Sequence, residues 1–282
     1  MGSTTPVSVR TLSANQIDAF QKGIYEYYHE HGRDFAWRSI DNPYWVIVSE
    51  IMLQQTQTDR VKKKYDEFIS LFPTLESLAD APLDKVLASW QGLGYNRRAL
   101  ALRALAQRIV ADYNGLVPQD PVILETFRGI GPATAASICA FSFNMPTVFI
   151  ETNIRSVFIH SFFSQGDKVH DRDIMPLIAQ TLDFANPRVW YYALMDYGVM
   201  LKKQHGNPSR KSVHHAKQSQ FKGSDRQVRG AILKMLVQTP RLSKDTFVAQ
   251  IERDEKKIES ILKDLEQEGF IMLAHGQYQL KT

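Results

Sequence analysis

Two carboxylates and two glycine turns hold the residues of this chain best suited to chemistry. Glu50 lies in the middle of an apolar helical run from Tyr44 to Leu53. A carboxylate there needs a partner or a task, and apolar surroundings raise its pKa toward what a general acid near neutral pH requires. Gln54, Gln55 and Thr56 follow at the helix end and offer donors and acceptors suited to base edges. Gly129-Ile-Gly131-Pro-Ala-Thr134 opens onto an Ala-rich helix, Pro132 to Ala140. The N–H groups of such a turn, and of the first helical turn after it, form a seat for a phosphate. Glu151-Thr152-Asn153 then brings a carboxylate close to whatever backbone is gripped. In Gln91-Gly-Leu-Gly-Tyr-Asn-Arg-Arg98 a turn presents Leu93 and Tyr95 beside Arg97 and Arg98. Wedges next to cations are what unstacking a base step demands. Each element has a plain alternative: a glycine turn between core helices, a helix-surface Glu, a tight turn with a core tyrosine. Occurring together and in this order, they point to chemistry on a nucleic acid.

The elements that must position these residues are helices. Apolar residues recur at helical spacing in Ile17–Gln21, Trp45–Gln57, Asp59–Phe72, Leu83–Trp90, Arg97–Tyr113, Ile174–Phe184 and Trp190–Leu201. Asn42-Pro43 and Asp80-Ala81-Pro82 supply start signals. Strand signals are almost absent before residue 260. The chain divides into a helical region (8–201), a basic connector (202–223) and a compact C-terminal unit (224–282). That last unit reads as helix (Arg226–Val237), short helix (Ser243–Gln250), helix (Glu255–Glu268) and a hairpin turning at His275-Gly276, a winged-helix pattern.

Composition narrows the class. The 282 residues carry a net charge of +4, with a pI near 9.0. Between Lys202 and Lys222 there are six Lys or Arg, three His and no acid. Such a stripe, containing Lys202, Lys203, Arg210 and Lys211, suits a polyanion, although a solvated loop fits the charge equally well. The single Cys139 lies in an apolar helix, so neither a disulfide frame nor a thiolate metal site is expected. No apolar run long enough to span a membrane exists, and no signal-peptide pattern opens the chain. The expected location is intracellular, in cytoplasm or nucleoid.

The order of these pieces resembles the helix-hairpin-helix (HhH-GPD) DNA glycosylase superfamily, most closely its MutY-like adenine glycosylase branch. The matching pieces are Phe35-Ala-Trp-Arg38, Asn42-Pro-Tyr44, Ser49-Glu-x-Met-Leu-Gln-Gln-Thr56, Leu78-Ala-x-Ala-Pro-Leu83, Gly92-Leu-Gly-Tyr95, Arg128-Gly-Ile-Gly131, Asn153 and Ala193-Leu-Met-Asp-Tyr-Gly198. The resemblance implies a mainly α, two-lobed fold and hydrolysis of a base–sugar bond on a flipped nucleotide. It makes Glu50 the acid that protonates the base and Glu151 the group that stabilises the oxocarbenium. Gln55 and Tyr95 become wedges. Gln54, Thr56, Leu93, Gly94, Arg97, Arg98, Gly129, Gly131 and Thr134 join them on the DNA. The base pocket is drawn from Trp37, which would close over a base, and Arg38, Leu53, Ala133, Asn153 and Tyr192.

The chain also departs from the family pattern. Glu151 stands where the family normally has Asp, and Glu is the poorer helix cap. Ala133 occupies the slot of a Schiff-base lysine in relatives such as endonuclease III, so no lyase route is expected. Tyr192 replaces a Glu or Gln that meets the adenine in some relatives. Four cluster cysteines fall on Lys202, Ser209, Ser212 and about Gln218, so no iron–sulfur cluster and no other cofactor are expected. A winged-helix-like unit replaces the domain that reads 8-oxoguanine. Its third helix, Glu252 to Glu268, carries seven acids and four bases, the wrong balance for a helix in a major groove. The expectation is a monomeric, monofunctional glycosylase of base excision repair on duplexes with a mismatch or lesion. It would remove adenine opposite 8-oxoguanine or guanine. Thymine or uracil excision opposite guanine, and a catalytically idle damage binder, are the alternatives.

Overall fold

The computed structural model describes residues 10–164, 168–215 and 220–281. Through residue 113 the helices are α1 (Ala14–His31), α2 (Pro43–Leu53), α3 (Thr58–Leu71), α4 (Leu75–Ala79), α5 (Leu83–Trp90) and α6 (Arg97–Tyr113). Then come α7 (Pro121–Glu125), α8 (Pro132–Phe143), α9 (Thr152–Phe162), α10 (Asp171–Thr181) and α11 (Pro187–His205). The chain closes with α12 (Asp225–Gln238), α13 (Lys244–Gln250), α14 (Glu255–Gln267) and the strands β1 (Ile271–Ala274) and β2 (Gln277–Leu280). The fold is mainly α. Two units gather these elements. One holds the described parts of Met1–Val46 with Gln119–Glu125 and Ile130–Lys217; the other holds Ile47–Pro118, Thr126–Gly129 and Gln218–Thr282.

In the first unit α9 and α11 pack tightly on each other, and α1 lies on α11. Gly198 permits that approach: a Cβ there would stand 2.5 Å from the carbonyl oxygen of Asn153. The core is aromatic. Tyr191 lies against Phe149 with centroids 4.1 Å apart, and Trp190 packs edge-to-face with Phe20 and at a tilt with Tyr25. α8 is buried over most of its length. Its Cys139 is fully buried and directs Sγ at the carbonyl of Gln119, 3.1 Å away. Burial and the nearby Asp120 raise its thiol pKa to about 11.

In the second unit α4 and α5 pack on α6, and α3 on α5. Phe68, Trp90, Leu102 and Ile109 are completely buried. Asn114 ends α6 in the left-handed conformation at φ 51, the stop signal a chain uses where glycine is absent. The C-terminal helices belong to this same unit: α12 packs on α5 as well as on α14. β1 and β2 form the expected hairpin, Ile271 opposite Leu280. His275 and Gly276 both take positive φ, 51 and 75, which a two-residue turn of the hairpin hand requires. A bridge between Leu242 and Tyr278 extends it. The sequence pattern placed the start of α11 at Trp190 and its end at Leu201, whereas the helix runs from Pro187 through His205. Lys202 and Lys203 are therefore helical rather than loop residues.

Candidate functional site

In the second unit Glu50 is half-buried on α2. Its chain neighbours Ile47, Val48, Ser49, Ile51 and Met52 are each at most 2% exposed. Leu53 and Gln54 are half-buried at the helix end, and Gln55 is exposed. Two non-glycine residues in the loops that follow adopt left-handed backbone, Gln55 at φ 54 and Tyr95 at φ 48. Each such conformation costs about 1 kcal/mol or more, so neighbours must hold it.

Arg98 is the neighbour that holds both. Its Nη1 donates to the carbonyls of Ile51, Met52 and Gln54 at 2.9, 2.8 and 2.5 Å. Its Nη2 donates to Thr56 Oγ1 at 2.9 Å and to the carbonyls of Leu93 and Gly94 at 3.3 and 3.1 Å. The guanidinium also lies 5.5 Å from the Trp90 centroid and 5.4 Å from that of Tyr95. Burial lowers its pKa to about 10, so it stays charged at neutral pH. The expected DNA contact at Arg98 is thus corrected: the side chain is a clasp between the end of α2 with the turn after it and the loop before α6, with its donors turned inward. Leu93 needs the same correction, because at 2% exposure it is core rather than wedge. Arg97 does reach solvent, but Glu268 engages it, Nε to Oε2 at 2.7 Å. Gly94 is exposed and Tyr95 half-exposed. Gln54 Nε2 donates to the carbonyl of Gly129 at 3.2 Å. Gly129 has φ 86, and a Cβ there would stand 3.1 Å from that of Ala101, so only glycine fits.

In the first unit Gly131 caps α8, makes no side-chain cap and is followed by Pro132 at the first helical position. Ala133 is exposed and Thr134 half-buried. Glu151 caps α9, contrary to the expectation of a poor cap. Its Oε1 accepts from the N–H groups of Asn153 and Ile154 at 2.7 and 2.8 Å. Its Oε2 accepts from Asn153 Nδ2 at 3.2 Å. The extra methylene is taken up by folding the carboxylate back over the helix N-terminus, where a negative charge is favoured. Asn153 passes the contact on, its Oδ1 accepting from Lys202 Nζ at 2.8 Å. Burial lowers the Lys202 pKa, against the pull of Glu151 and together with the repulsion of Arg155. Lys202 therefore belongs to the Glu151 cap and not to an exposed phosphate stripe. Lys203 and Arg210 are exposed, and Lys211 is half-buried.

Three base-pocket candidates of the first unit are packed as a wall. Asp196, 1% exposed at its side chain, takes bonds from Arg33 and Arg38, the latter 7% exposed. Arg38 Nη1 and Nη2 both stand 2.8 Å from its oxygens. Burial alone would raise the Asp196 pKa, but the bonds and charges of Arg38 and Arg33 outweigh it and hold it below 3.8. The Arg38 guanidinium lies 4.6 Å from the Tyr192 centroid, and Tyr192 stacks on Phe141 at 4.6 Å. Trp37 stacks on Phe35 at 4.8 Å and is 5% exposed. The expectations that Trp37 closes over a base, and that Arg38 and Tyr192 meet one, are corrected accordingly. All three side chains are committed to the core of this unit.

The residues at the expected cluster positions do not fit an iron–sulfur group. Lys202 is bonded as above, Ser209 Oγ donates to the carbonyl of Thr152 at 3.1 Å and pairs with Ser156 Oγ at 2.9 Å, and Ser212 is buried. Gln218 lies outside the described residues. The chain's one cysteine is Cys139. Among the described residues there is no group of three or more His, Cys, Asp or Glu placed to hold a metal, and no helix long and apolar enough to cross a membrane.

Residues 48–179 match the family model of the HhH-GPD superfamily base excision DNA repair proteins. An adenine DNA glycosylase of Mycobacterium tuberculosis is 30% identical over 231 residues, 74% of this chain and 76% of that protein. One from Buchnera aphidicola subsp. Baizongia pistaciae is 34% identical over 187 residues, 64% of this chain and 52% of its own. The chain thus spans about half the length of the Buchnera relative. Among solved structures, a thermostable thymine-DNA glycosylase superposes with a TM-score of 0.60 at 23% identity, covering 69% of this chain and 91% of its own. An endonuclease III–DNA complex gives 0.58 at 18%, covering 69% and 90%.

Proposed function

Because the chain belongs to the HhH-GPD superfamily of base excision repair proteins, in its MutY-like adenine glycosylase branch, we propose that it is a monofunctional DNA N-glycosylase. Its substrate is a duplex in which adenine stands opposite 8-oxoguanine or guanine, and it acts as a monomer. Cleavage of an N-glycosidic bond builds positive charge on the sugar and negative charge on the leaving base. Glu50 gives its proton to the base, and Glu151 faces the developing cation. Water then adds to the anomeric carbon, and its proton returns to the Glu50 carboxylate. Ala133 has no amine, so the sugar forms no Schiff base at that position. Gln55 and Tyr95, on their left-handed loops, enter the opened step, while Gly129 and Gly131 with the first turn of α8 grip phosphate. No iron–sulfur cluster takes part.

The observation that carries this reading is the fixation of the Glu151 carboxylate by two backbone N–H groups and the Asn153 amide. An anion held in one place before charge develops on its target is what electrostatic stabilisation of a transition state requires. Single-turnover excision over a panel of duplexes tests it: adenine opposite 8-oxoguanine, adenine opposite guanine, thymine and uracil opposite guanine, and a fully paired control. Adenine release from the first two is expected. Release of thymine or uracil instead would move the assignment to another branch, and tight mismatch binding with no release would make the protein a damage binder.

A further inference from the structure

Tyr95 is held on two sides by arginines, and only one of them belongs to its own loop region. Arg98 comes from α6. The other is Arg226, on the first turn of α12, 131 residues away in the chain. Its Nη1 donates to the Tyr95 hydroxyl at 2.6 Å, and its guanidinium carbon lies 5.3 Å from the ring centroid. A second tie runs alongside. Glu268, at the end of α14, accepts from Arg97 of α6 and from Arg229 of α12. Burial would raise its pKa, but Arg97 and Arg229 hold it below the ordinary value. The C-terminal helices are thereby tied by two sets of arginine contacts, one to the loop 91–96 and one to the first residue of α6, and Tyr95 of that loop keeps a left-handed backbone that its side chain does not favour.

Resting on the activity proposed above, we infer that the winged-helix-like module is part of the duplex-opening device, and that Arg226 is the positioning residue that fixes the Tyr95 wedge. Arg226 acts through Tyr95. It orders the ring before DNA arrives, so that mismatch binding does not bear the cost of immobilising it. Its planar fork bonds the hydroxyl while the ring face is covered by the cation, an arrangement lysine does not reproduce. The module's acidic third helix fits this role, because the module need not enter a groove itself.

The test measures affinity for a mismatched and a fully paired duplex of equal length, with Arg226→Leu, Arg226→Lys, Tyr95→Phe and the double variant Tyr95→Phe/Arg226→Leu. Urea unfolding of each confirms that the Glu268 ties keep the fold. Arg226→Leu should lower the mismatch-over-paired affinity ratio about tenfold, with a rise in half-saturating enzyme larger than the fall in plateau excision rate. The double variant should lose no more than about the larger single loss, because both changes break one contact, and Arg226→Lys should not restore the ratio. Equal loss on both duplexes, rescued by lysine and accompanied by a salt slope lower by about one, would make Arg226 a plain phosphate contact and overturn the inference. Additive losses would overturn it as well. A wild-type protein with no mismatch preference would overturn this inference and the proposed activity together, whereas a wild-type preference untouched by these variants overturns this inference alone.

Discussion

Arg98 and Glu151 are charged side chains that bond mainly to backbone, and they differ in what they hold. The Arg98 fork collects carbonyls from two separate segments, the end of α2 with the turn after it (Ile51–Gln54) and the loop at Leu93–Gly94. It is a cation in the core of its unit, and its bonds fix the relation of one segment to another. Glu151 collects N–H groups from its own helix and one amide. It lies at the start of a helix, and its bonds fix its own place and the first turn of α9. A long-range clasp sets the shape of a surface; a local cap sets the place of a charge. Substitutions in the two regions should therefore fail in different ways, one through binding and stability and the other through rate.

The largest effect is expected at the cap. Glu151→Gln keeps much of the geometry but removes the charge, so single-turnover excision should fall about 10³-fold while duplex affinity stays within about tenfold. Equal loss in both measurements would erase the contrast and make Glu151 structural. Glu151→Asp sharpens it. Aspartate can cap the same helix, so activity within about tenfold of wild type is expected, and a collapse in rate would show that the folded-back methylene sets the carboxylate position.

At the clasp, Arg98→Met leaves several buried carbonyls without donors. A stability loss of about 3 kcal/mol in urea unfolding is expected, together with weakened duplex binding. A variant as stable as wild type would mean that the two loops are held by something else. Smaller effects follow for Lys202→Met, which removes the outer end of the Asn153–Glu151 relay. Excision should slow by about tenfold with binding little changed, and Lys202→Arg should recover part of the loss. A change confined to the salt dependence of binding would return Lys202 to the phosphate stripe.

The smallest effect is one of pH. The folded-state pKa of Asp196 lies below 3.8, so its stabilising contribution is present above 3.8 and is lost as pH falls through the lower, folded-state value. The gap in urea midpoint between wild type and Arg33→Gln should be constant near neutrality and shrink below pH 3.8. A gap that persists there would place Arg33's contribution outside the ion cluster.

Local periodicity made most of the architecture legible. The runs Leu83–Trp90 and Arg97–Tyr113 match α5 and α6 to the residue, and His275-Gly276 announced the hairpin. The short helices α4 and α7 escaped because five residues hold too little period to register. The motifs located the loops that matter but not the duties within them. Arg98 and Leu93 read as DNA contacts because a basic or apolar residue beside a glycine turn looks the same in sequence whether it points out or in. Six inward acceptors decided it for Arg98, five carbonyls and the Thr56 hydroxyl, some of them 40 or more residues away and others nearby. Tyr192 and Arg38 were misread for a related reason: Asp196 and Phe141 claim them first. Arg226 carried no signal, since an arginine in a first helical turn is ordinary until Tyr95 is found against it.

The one thiol of the chain has a consequence for life under oxidants. Cys139 is fully buried, and with a pKa near 11 only about one molecule in ten thousand carries the thiolate at neutral pH. Peroxides and alkylating agents react through that thiolate, and the oxidation ladder of cysteine begins there. This chain therefore offers almost no sulfhydryl target for peroxides or alkylating agents while it stays folded.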